Sequence, residues 1–299
     1  MKANLDFLQQ PPEFWAYVRT ISQEIGYTAT HTNKETKVKT KSILIPSRND
    51  VLKAFAKLGL SLNAIENEAG ELTAFGKTLF DYFSYRSEII TNFVRGNLMD
   101  KDEAEAVFYS LFNELDPQCP LPMNKQKGDK KNYSYLTGMV NMIIESNLDG
   151  VTTCDYDPRS LTTVTHQDMP LRTLSRRVDG ALPSVVNPIA IWEIKEYYYT
   201  TTFGSRVADG VYESLLDGME LRELSNAGHQ KIYHMLIIDS HYTWWECGRS
   251  YLCRIIDMLH MGYLDEVIIG KEVVTRLPEL VTEWKKEILE RENIESPFG

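Results

Sequence analysis

Hydrophobic spacing changes character once along the chain, near residue 130. Before that point apolar residues recur at helical intervals. Pro12-Glu-Phe-Trp-Ala-Tyr-Val-Arg19 opens one helix, with proline in its first turn. Ser47-Arg-Asn-Asp50 has the form of a capping box and opens Val51–Leu58, which Gly59 closes. Ala64–Glu71 has the composition of a short hairpin turning at Ala69-Gly70, and Leu72–Phe83 returns to helical spacing. Asp116–Asn132 is rich in Pro, Lys and Asn and has no apolar period, so it predicts a linker or long loop.

After the linker, helical and strand patterns alternate. Tyr133–Ser146 places Leu136, Val140, Ile143 and Ile144 on one helical face. Thr- and Val-rich pieces between Leu148 and Pro183 suit strands, and Asn187-Pro188 marks a turn. Ile189–Ile194 reads as a buried strand, Arg206–Leu224 as an amphipathic helix, and Tyr233–Asp239 as a second buried strand. Trp244–Met261 predicts a helix, Glu266–Ile269 a short strand, and Thr282–Glu292 a surface helix. This order predicts an α/β fold: a mixed central sheet flanked by helices on both faces, spanning 131–299, behind an N-terminal mainly helical domain at 1–130.

Composition narrows the class. With 299 residues, 43% hydrophobic and 25% charged, the chain suits one large or two ordinary globular domains. No apolar run approaches the ~18 residues of a membrane span. The first ten residues lack the apolar core of a signal peptide, so a cytoplasmic protein without a membrane partner is expected. Cys119, Cys154, Cys247 and Cys253 form no Cys-x-x-Cys pair and are expected as reduced thiols. The net charge of −10 weighs against nucleic-acid binding as a whole-surface property, but local patches matter more than the sum. Two lysine clusters stand out, Lys34, Lys37, Lys39 and Lys41 around Glu35, and Lys125, Lys127, Lys130 and Lys131 around Asp129; both are expected as solvated loops. Gly-x-Ser-x-Gly, His-Glu-x-x-His and P-loop motifs are absent, which argues against the hydrolase classes that use them.

The candidate chemistry lies at the end of the first buried strand. Ile189-Ala-Ile-Trp192 is apolar on both faces, and alternation then sends Glu193 and Lys195 to the same face. Asp179 precedes Glu193 by 14 residues, at hairpin distance. Glu-x-Lys also occurs at Glu35 and Glu283, but only Glu193-Ile-Lys195 ends a buried strand. Ionised groups there are costly unless paired or metal-bound, so two readings stand: a structural salt bridge or a metal centre.

Val178-Asp179-Gly180 and Glu193-Ile-Lys195 resemble the two half-motifs of the PD-(D/E)XK nuclease superfamily, which holds most type II restriction endonucleases; Val178 stands where the motif has proline. The resemblance covers roughly residues 133–269 and implies a restriction-endonuclease-like core of order α-β-β-β-α-β. It implies that Asp179 and Glu193 ligate Mg²⁺, with Mn²⁺ able to substitute, that the Ile194 carbonyl adds a ligand, and that Lys195 positions or deprotonates the attacking water. Products would carry 5′-phosphate and 3′-hydroxyl ends. Some members take a further ligand from the helix before the hairpin, which makes Glu145 a candidate and Asp168 a second choice. Arg176 and Arg177 suit a bidentate phosphate clamp, and because they fall on opposite faces at most one is expected to point at the site. Ser205 and Arg206, with the Gly204 amide, suit either a grip on the DNA backbone at a helix N-terminus or a plain helix-capping loop. Tyr197, Tyr198 and Tyr199 suit either base stacking or strand packing.

In the N-terminal part, a helix, a short β wing and Leu72-Thr-x-x-Gly76-x-x-Leu79 resemble a winged-helix domain, and Lys53 and Lys57, one turn apart, suit phosphate contacts. The expected function is therefore a Mg²⁺-dependent endonuclease of the type II restriction class. It would act on a specific sequence in double-stranded DNA, as a homodimer, beside a cognate methyltransferase. A phage-defence or repair nuclease with little sequence preference fits the same residues. The competing expectation is a non-catalytic winged-helix regulator whose α/β part senses or dimerises.

Overall fold

A computed structural model describes residues 1–124, 132–199, 204–228 and 231–295, the side chains of 205, 206 and 292–295 excepted. The N-terminal part begins with α1 (Leu5–Leu8) and α2 (Pro12–Ile25), whose Phe14, Trp15, Val18 and Ile21 are buried at helical spacing. A two-stranded ribbon follows, β1 (Thr28–Thr32) antiparallel to β2 (Lys39–Ile43). The first lysine cluster is therefore a hairpin, where a loop was expected. Alternating Thr residues favour the extended backbone, and Lys37 at φ 58° turns the chain.

Next, α3 (Arg48–Leu58) starts at Ser47, whose hydroxyl accepts from the Asp50 N–H, and ends at Gly59 in the left-handed region, as the sequence predicts. The expected hairpin at 64–71 is reduced to a single bridge between Glu66 and Leu72. Thr73 caps α4 (Ala74–Glu88), and Gly76 belongs there because a Cβ would lie 2.2 Å from the Ile65 carbonyl oxygen. A π-helical turn, Ile89–Val94, carries α4 into α5 (Arg95–Asn97).

From here the chain builds the larger core. Asp100 and Glu103 form a reciprocal capping box for α6 (Lys101–Leu115), which packs through Phe108 on α7 (Tyr135–Leu148). The last helix of the expected 1–130 unit thus contributes to the core of the second. Lys125, Lys127, Lys130 and Lys131 lie outside the described residues. β3 (Asp155–Tyr156) comes next, then a separate two-stranded hairpin of β4 (Thr163–His166) and β5 (Met169–Thr173), then β6 (Gly180–Leu182) and β7 (Ala190–Lys195). After α8 (Ser205–Asn226) come β8 (Tyr233–Ile238), a π-helical segment His241–Cys247, α9 (Arg249–His260), β9 (Glu266–Ile269), α10 (Glu272–Thr275) and α11 (Leu277–Glu295). The helix expected at 244–261 is thus split, with Gly248 at the junction.

The main sheet has order β3-β6-β7-β8-β9; its first two pairings are antiparallel and its last two parallel. The protein is a mixed α/β fold with helices on both faces of this sheet. One face carries Leu182, Ala190, Trp192 and Ile237 and is sealed by α7, α10 and α11. The tail helix is not a surface element. Its Leu277, Leu280, Val281, Trp284 and Ile288 are buried, and Trp284 stacks on Trp192 with ring centroids 6.2 Å apart. The other face carries Ile191, Leu236 and Ile238 and is covered by α8 and α9. Among the described residues no helix is long and apolar enough to cross a membrane.

The two parts meet at a buried ion pair. Arg86 of α4 lies 3.0 Å from Asp257 of α9, and Asp257 also accepts from the Tyr82 hydroxyl at 2.6 Å. All four cysteines are free thiols, as expected.

Candidate active site

β7 alternates as the sequence predicts. Ala190, Trp192 and Ile194 face the apolar layer, and Ile191, Glu193 and Lys195 face α8. Asp179 lies just before β6, one residue beyond the Gly180–Trp192 pair. Its N–H donates to the Trp192 carbonyl at 3.1 Å, and its Oδ2 accepts from the Ile194 N–H at 2.7 Å. The Asp179 carboxylate is thereby fixed against the Glu193–Ile194 peptide. Gly180 permits this approach, since a Cβ there would lie 2.2 Å from the Trp192 ring.

α8 completes the site. Its fully buried apolar residues sit towards its ends, Val207 and Val211 in one cluster, Leu221 and Leu224 in another. Between them Glu213 and Asp217, one turn apart, point at the charged end of β7. Lys195 Nζ lies 2.8 Å from Glu193 Oε2 and 2.9 Å from Glu213 Oε2. Gly210 lets the helix come this close, because a Cβ there would meet the Lys195 chain at 3.0 Å. Arg176 forks into the same cluster: Nη2 donates to Glu193 Oε2 at 3.0 Å and Nη1 to Asp217 Oδ2 at 2.6 Å. Arg176 Nη1 also lies 2.7 Å from Glu193 Oε1, a charge contact off hydrogen-bond geometry that leaves this buried oxygen without a hydrogen-bond donor. Asp217 Oδ1 is likewise buried without a donor.

The charges do not balance. Arg176 and Lys195 supply two positive charges against the four carboxylates Asp179, Glu193, Glu213 and Asp217, a deficit of two when all are ionised. The carboxyls respond unequally. Burial would raise Glu193, but Lys195 and Arg176 outweigh it and hold it below its ordinary value. Burial pushes Asp179 up to about 6, and the Glu193 charge adds to the rise. Burial also pushes Asp217 up to about 7, against the pull of Arg176. Lys195 would be lowered by burial, but Glu193 and Asp179 outweigh that and raise it. Glu213 is partly exposed and Asp217, at about 7, is partly neutral at neutral pH, which lessens the imbalance; the remaining excess of hard carboxylate oxygens suits a divalent cation such as Mg²⁺. Among the described residues no three His, Cys, Asp or Glu side chains are placed to hold an ion by themselves. Mg²⁺ commonly binds through one or two carboxylates and keeps several waters, so Asp179 and Glu193 with the Ile194 carbonyl still fit it.

The site opens on a cavity of about 600 Å³ lined by Asp157, Arg159, Ser175, Arg176, Arg177 and Asp179. Arg177 is exposed there, and Arg159 pairs loosely with the exposed Asp157 at 3.4 Å.

Several expected site residues lie elsewhere. Glu145 is on α7, across the sheet from Glu193, and its Oε2 accepts from the Gln118 N–H at 2.9 Å; the sheet itself separates it from the cluster. Asp168 sits exposed in the β4–β5 turn at φ 61°. Arg176 is not free to clamp a phosphate, because carboxylates already hold its guanidinium. Tyr198 is buried, Tyr197 packs on Trp244 and Tyr199 on Tyr135, so the tyrosine run serves packing. The side chains of Ser205 and Arg206 lie outside the described residues. Lys53 and Lys57 are exposed on α3, with Lys57 paired to Glu24 at 2.7 Å. The sequence reading missed Glu213 and Asp217. Their spacing of four on a helix following the strand was the available signal, hidden among the other acids of α8.

A domain family of unknown function, DUF7687, matches residues 99–284, and a second, DUF7690, matches residues 1–93. The chain belongs to the DUF7687 family. The DUF7687 match takes in α6 through Trp284 and all six residues of the charged cluster. The two matches adjoin at the π-helical turn and α5, well before the boundary expected at 130. Neither the curated proteins nor the solved structures give a match.

Proposed function

We propose that the Asp179–Glu193–Lys195 cluster is the active site of a Mg²⁺-dependent DNA endonuclease. The observation that carries this reading is the meeting of Asp179, Glu193 and Lys195 at the end of a buried strand, in a cluster where four carboxylates surround two cations and Glu193 Oε1 and Asp217 Oδ1 have no hydrogen-bond donor. A purely structural ion-pair network would be expected to balance, since uncompensated buried charge is destabilising. The chain order supports the same reading: helix α7, three antiparallel strands, crossover helix α8 and a parallel strand, the order of a restriction-endonuclease core.

In this reading Asp179 and Glu193 hold the metal. Bound Mg²⁺ would polarise the phosphoryl oxygen and stabilise the leaving alkoxide. Lys195 enters as an ammonium, given the direction of its shift, so it donates to the attacking water or to a phosphoryl oxygen. Arg176 acts as a positioning residue that ties Glu193 of the strand to Asp217 of the helix. The phosphate-binding role passes to Arg177 and Arg159, which line the open cavity. Sequence specificity of the type II restriction class, a homodimer to cut both strands, and a cognate methyltransferase are narrower parts of the same proposal.

The test is cleavage of modified and unmodified plasmid and phage DNA with Mg²⁺ by wild type, Lys195→Ala and Asp179→Asn. The asparagine side chain can still accept from the Ile194 N–H, so Asp179→Asn removes charge with little change of shape. Discrete fragments lost in both variants support a sequence-specific nuclease; a smear lost in both supports a nuclease of low specificity. Intact DNA with wild type, alongside tight metal-independent binding, would move the assignment to a non-catalytic regulator.

A further inference from the structure

The β1–β2 ribbon gives the core only Ile43, at its root. Every residue from 30 to 41 is exposed, so neither face of the ribbon is covered. An isolated two-stranded hairpin is marginal in water, and this one adds contacts at its two ends to its own ladder. At the tip, Asn33 Oδ1 accepts from the N–H groups of Glu35 and Thr36 at 2.9 and 3.0 Å. At the root, Arg249 donates to the Lys41 carbonyl, Leu44 N–H donates to the Tyr27 carbonyl at 2.9 Å, and Ile43 is buried.

Its chemistry is one-sided. Residues 34–41 hold Lys34, Lys37, Lys39 and Lys41 against Glu35, a net +3 on a chain whose total is −10. None of these four lysines has an ion pair among the described residues, although carboxylates outnumber cations over the chain, 42 to 32. Register puts Lys39 beside Thr32 and Lys41 beside Thr30, so one face shows alternating ammonium and hydroxyl donors. The root of the ribbon adjoins α8, because Tyr27, just before β1, and Val211 line one cavity. Ile43 packs in the cluster that seats Val207 and Val211 of α8, and Gly210, between those valines, touches Lys195.

We propose that this hairpin is a docking arm for double-stranded DNA, contacting phosphates and entering the major groove beside the site that cuts. The proposal rests on the nuclease reading of that site. Duplex DNA is favoured over RNA because the B-form major groove, about 12 Å wide, admits a two-stranded ribbon, whereas the A-form major groove is too narrow. Five residues per strand give the arm a reach of roughly 17 Å.

The experiment uses the full chain and a short fluorescent DNA duplex, without metal, over a series of salt concentrations. Wild type is compared with the combined Lys34→Ala, Lys37→Ala, Lys39→Ala and Lys41→Ala variant, and with the same four positions changed to Arg. Unchanged thermal unfolding of both variants checks that the fold is intact. The alanine variant should bind roughly tenfold or more weakly at low salt. It should also flatten the slope of log K against log salt by up to about 3.6, at ~0.9 for each phosphate that is no longer neutralised. The arginine variant should restore both. Equal affinity and slope for wild type and the alanine variant would overturn the arm; if both then cut DNA with Mg²⁺, the nuclease reading survives. Lysine-dependent binding without cleavage would keep the arm and overturn the nuclease. Lysine-dependent binding that prefers duplex RNA would overturn the choice of partner, and no duplex binding at all would overturn the arm.

Discussion

The two faces of β7 are built from alternate residues of one strand and do opposite things. On one face Trp192 stacks on Trp284 beneath α7 and α11, with apolar partners throughout. On the other, Glu193 and Lys195 meet α8 in a cluster that leaves Glu193 Oε1 and Asp217 Oδ1 without donors. The first face is lined by indole and aliphatic side chains, with the Trp192 and Trp284 Nε1 atoms also lacking partners. The second is short of positive charge, and a protein tolerates that where a cation or substrate supplies it. Apolar packing and the charged cluster are thus separated by one residue of alternation.

Changes on the charged face should separate function from folding most strongly. Lys195→Ala and Asp179→Asn are expected to lower DNA cleavage by about 10²–10⁴-fold, read in single-turnover assays; thermal unfolding should change little in Asp179→Asn, while Lys195→Ala, which strips buried Glu193 of a cation, should also melt earlier. Equal losses of activity and of folded protein would erase the distinction between the faces. Trp192→Ala should behave in the reverse way. Removing a buried indole is expected to cost about 3–5 kcal/mol by denaturant unfolding, with the activity of the remaining folded molecules preserved.

The charge deficit makes a third comparison. Asp179 and Asp217 have folded pKa values raised to about 6 and about 7. Their contribution to stability is therefore complete below the ordinary aspartate value and is lost as pH rises through 6 and then 7. The metal-free protein should melt at lower temperature as pH rises across that window. Asp217→Asn should flatten the upper part of the fall, and Mg²⁺ should raise the melting temperature more at the alkaline end than at the acid end. A pH-independent Mg²⁺ effect, the same in Asp217→Asn, would sink the idea that Asp217 carries part of the deficit. The smallest effect belongs to Glu145→Gln. Across the sheet from the cluster, it should leave Mg²⁺ affinity and cleavage within about twofold of wild type, as expected for a substitution worth under ~0.5 kcal/mol. A larger loss would put Glu145 back at the metal.

Much of this frame was readable before the fold was known. The capped helix at Arg48–Leu58 announces itself in Ser47 and Gly59, and β7 in its apolar run and the placement of Glu193 and Lys195. The ribbon at Thr28–Ile43 was less legible. Lysines suppress a strand reading by propensity, and no apolar alternation marks strands that bury only Ile43. The tail helix was misjudged for a related reason: its many acids drew attention from the buried stripe Leu277, Val281, Trp284 and Ile288.

Sequence alone determined what is local: where helices begin and end, which residues of β7 share a face, and that Asp179 could return beside Glu193 through a hairpin. Those properties depend on capping groups and on strand alternation, which act over a few residues. Only the tertiary structure decided which helix covers which face of the sheet. It brought Glu213 and Asp217 of α8 to Lys195 and Arg176, and it sent Glu145 of α7 to the far side. The physical reason is that a helix chooses its face by where its apolar surface can be buried, and that depends on the crossover and on every other element already packed there.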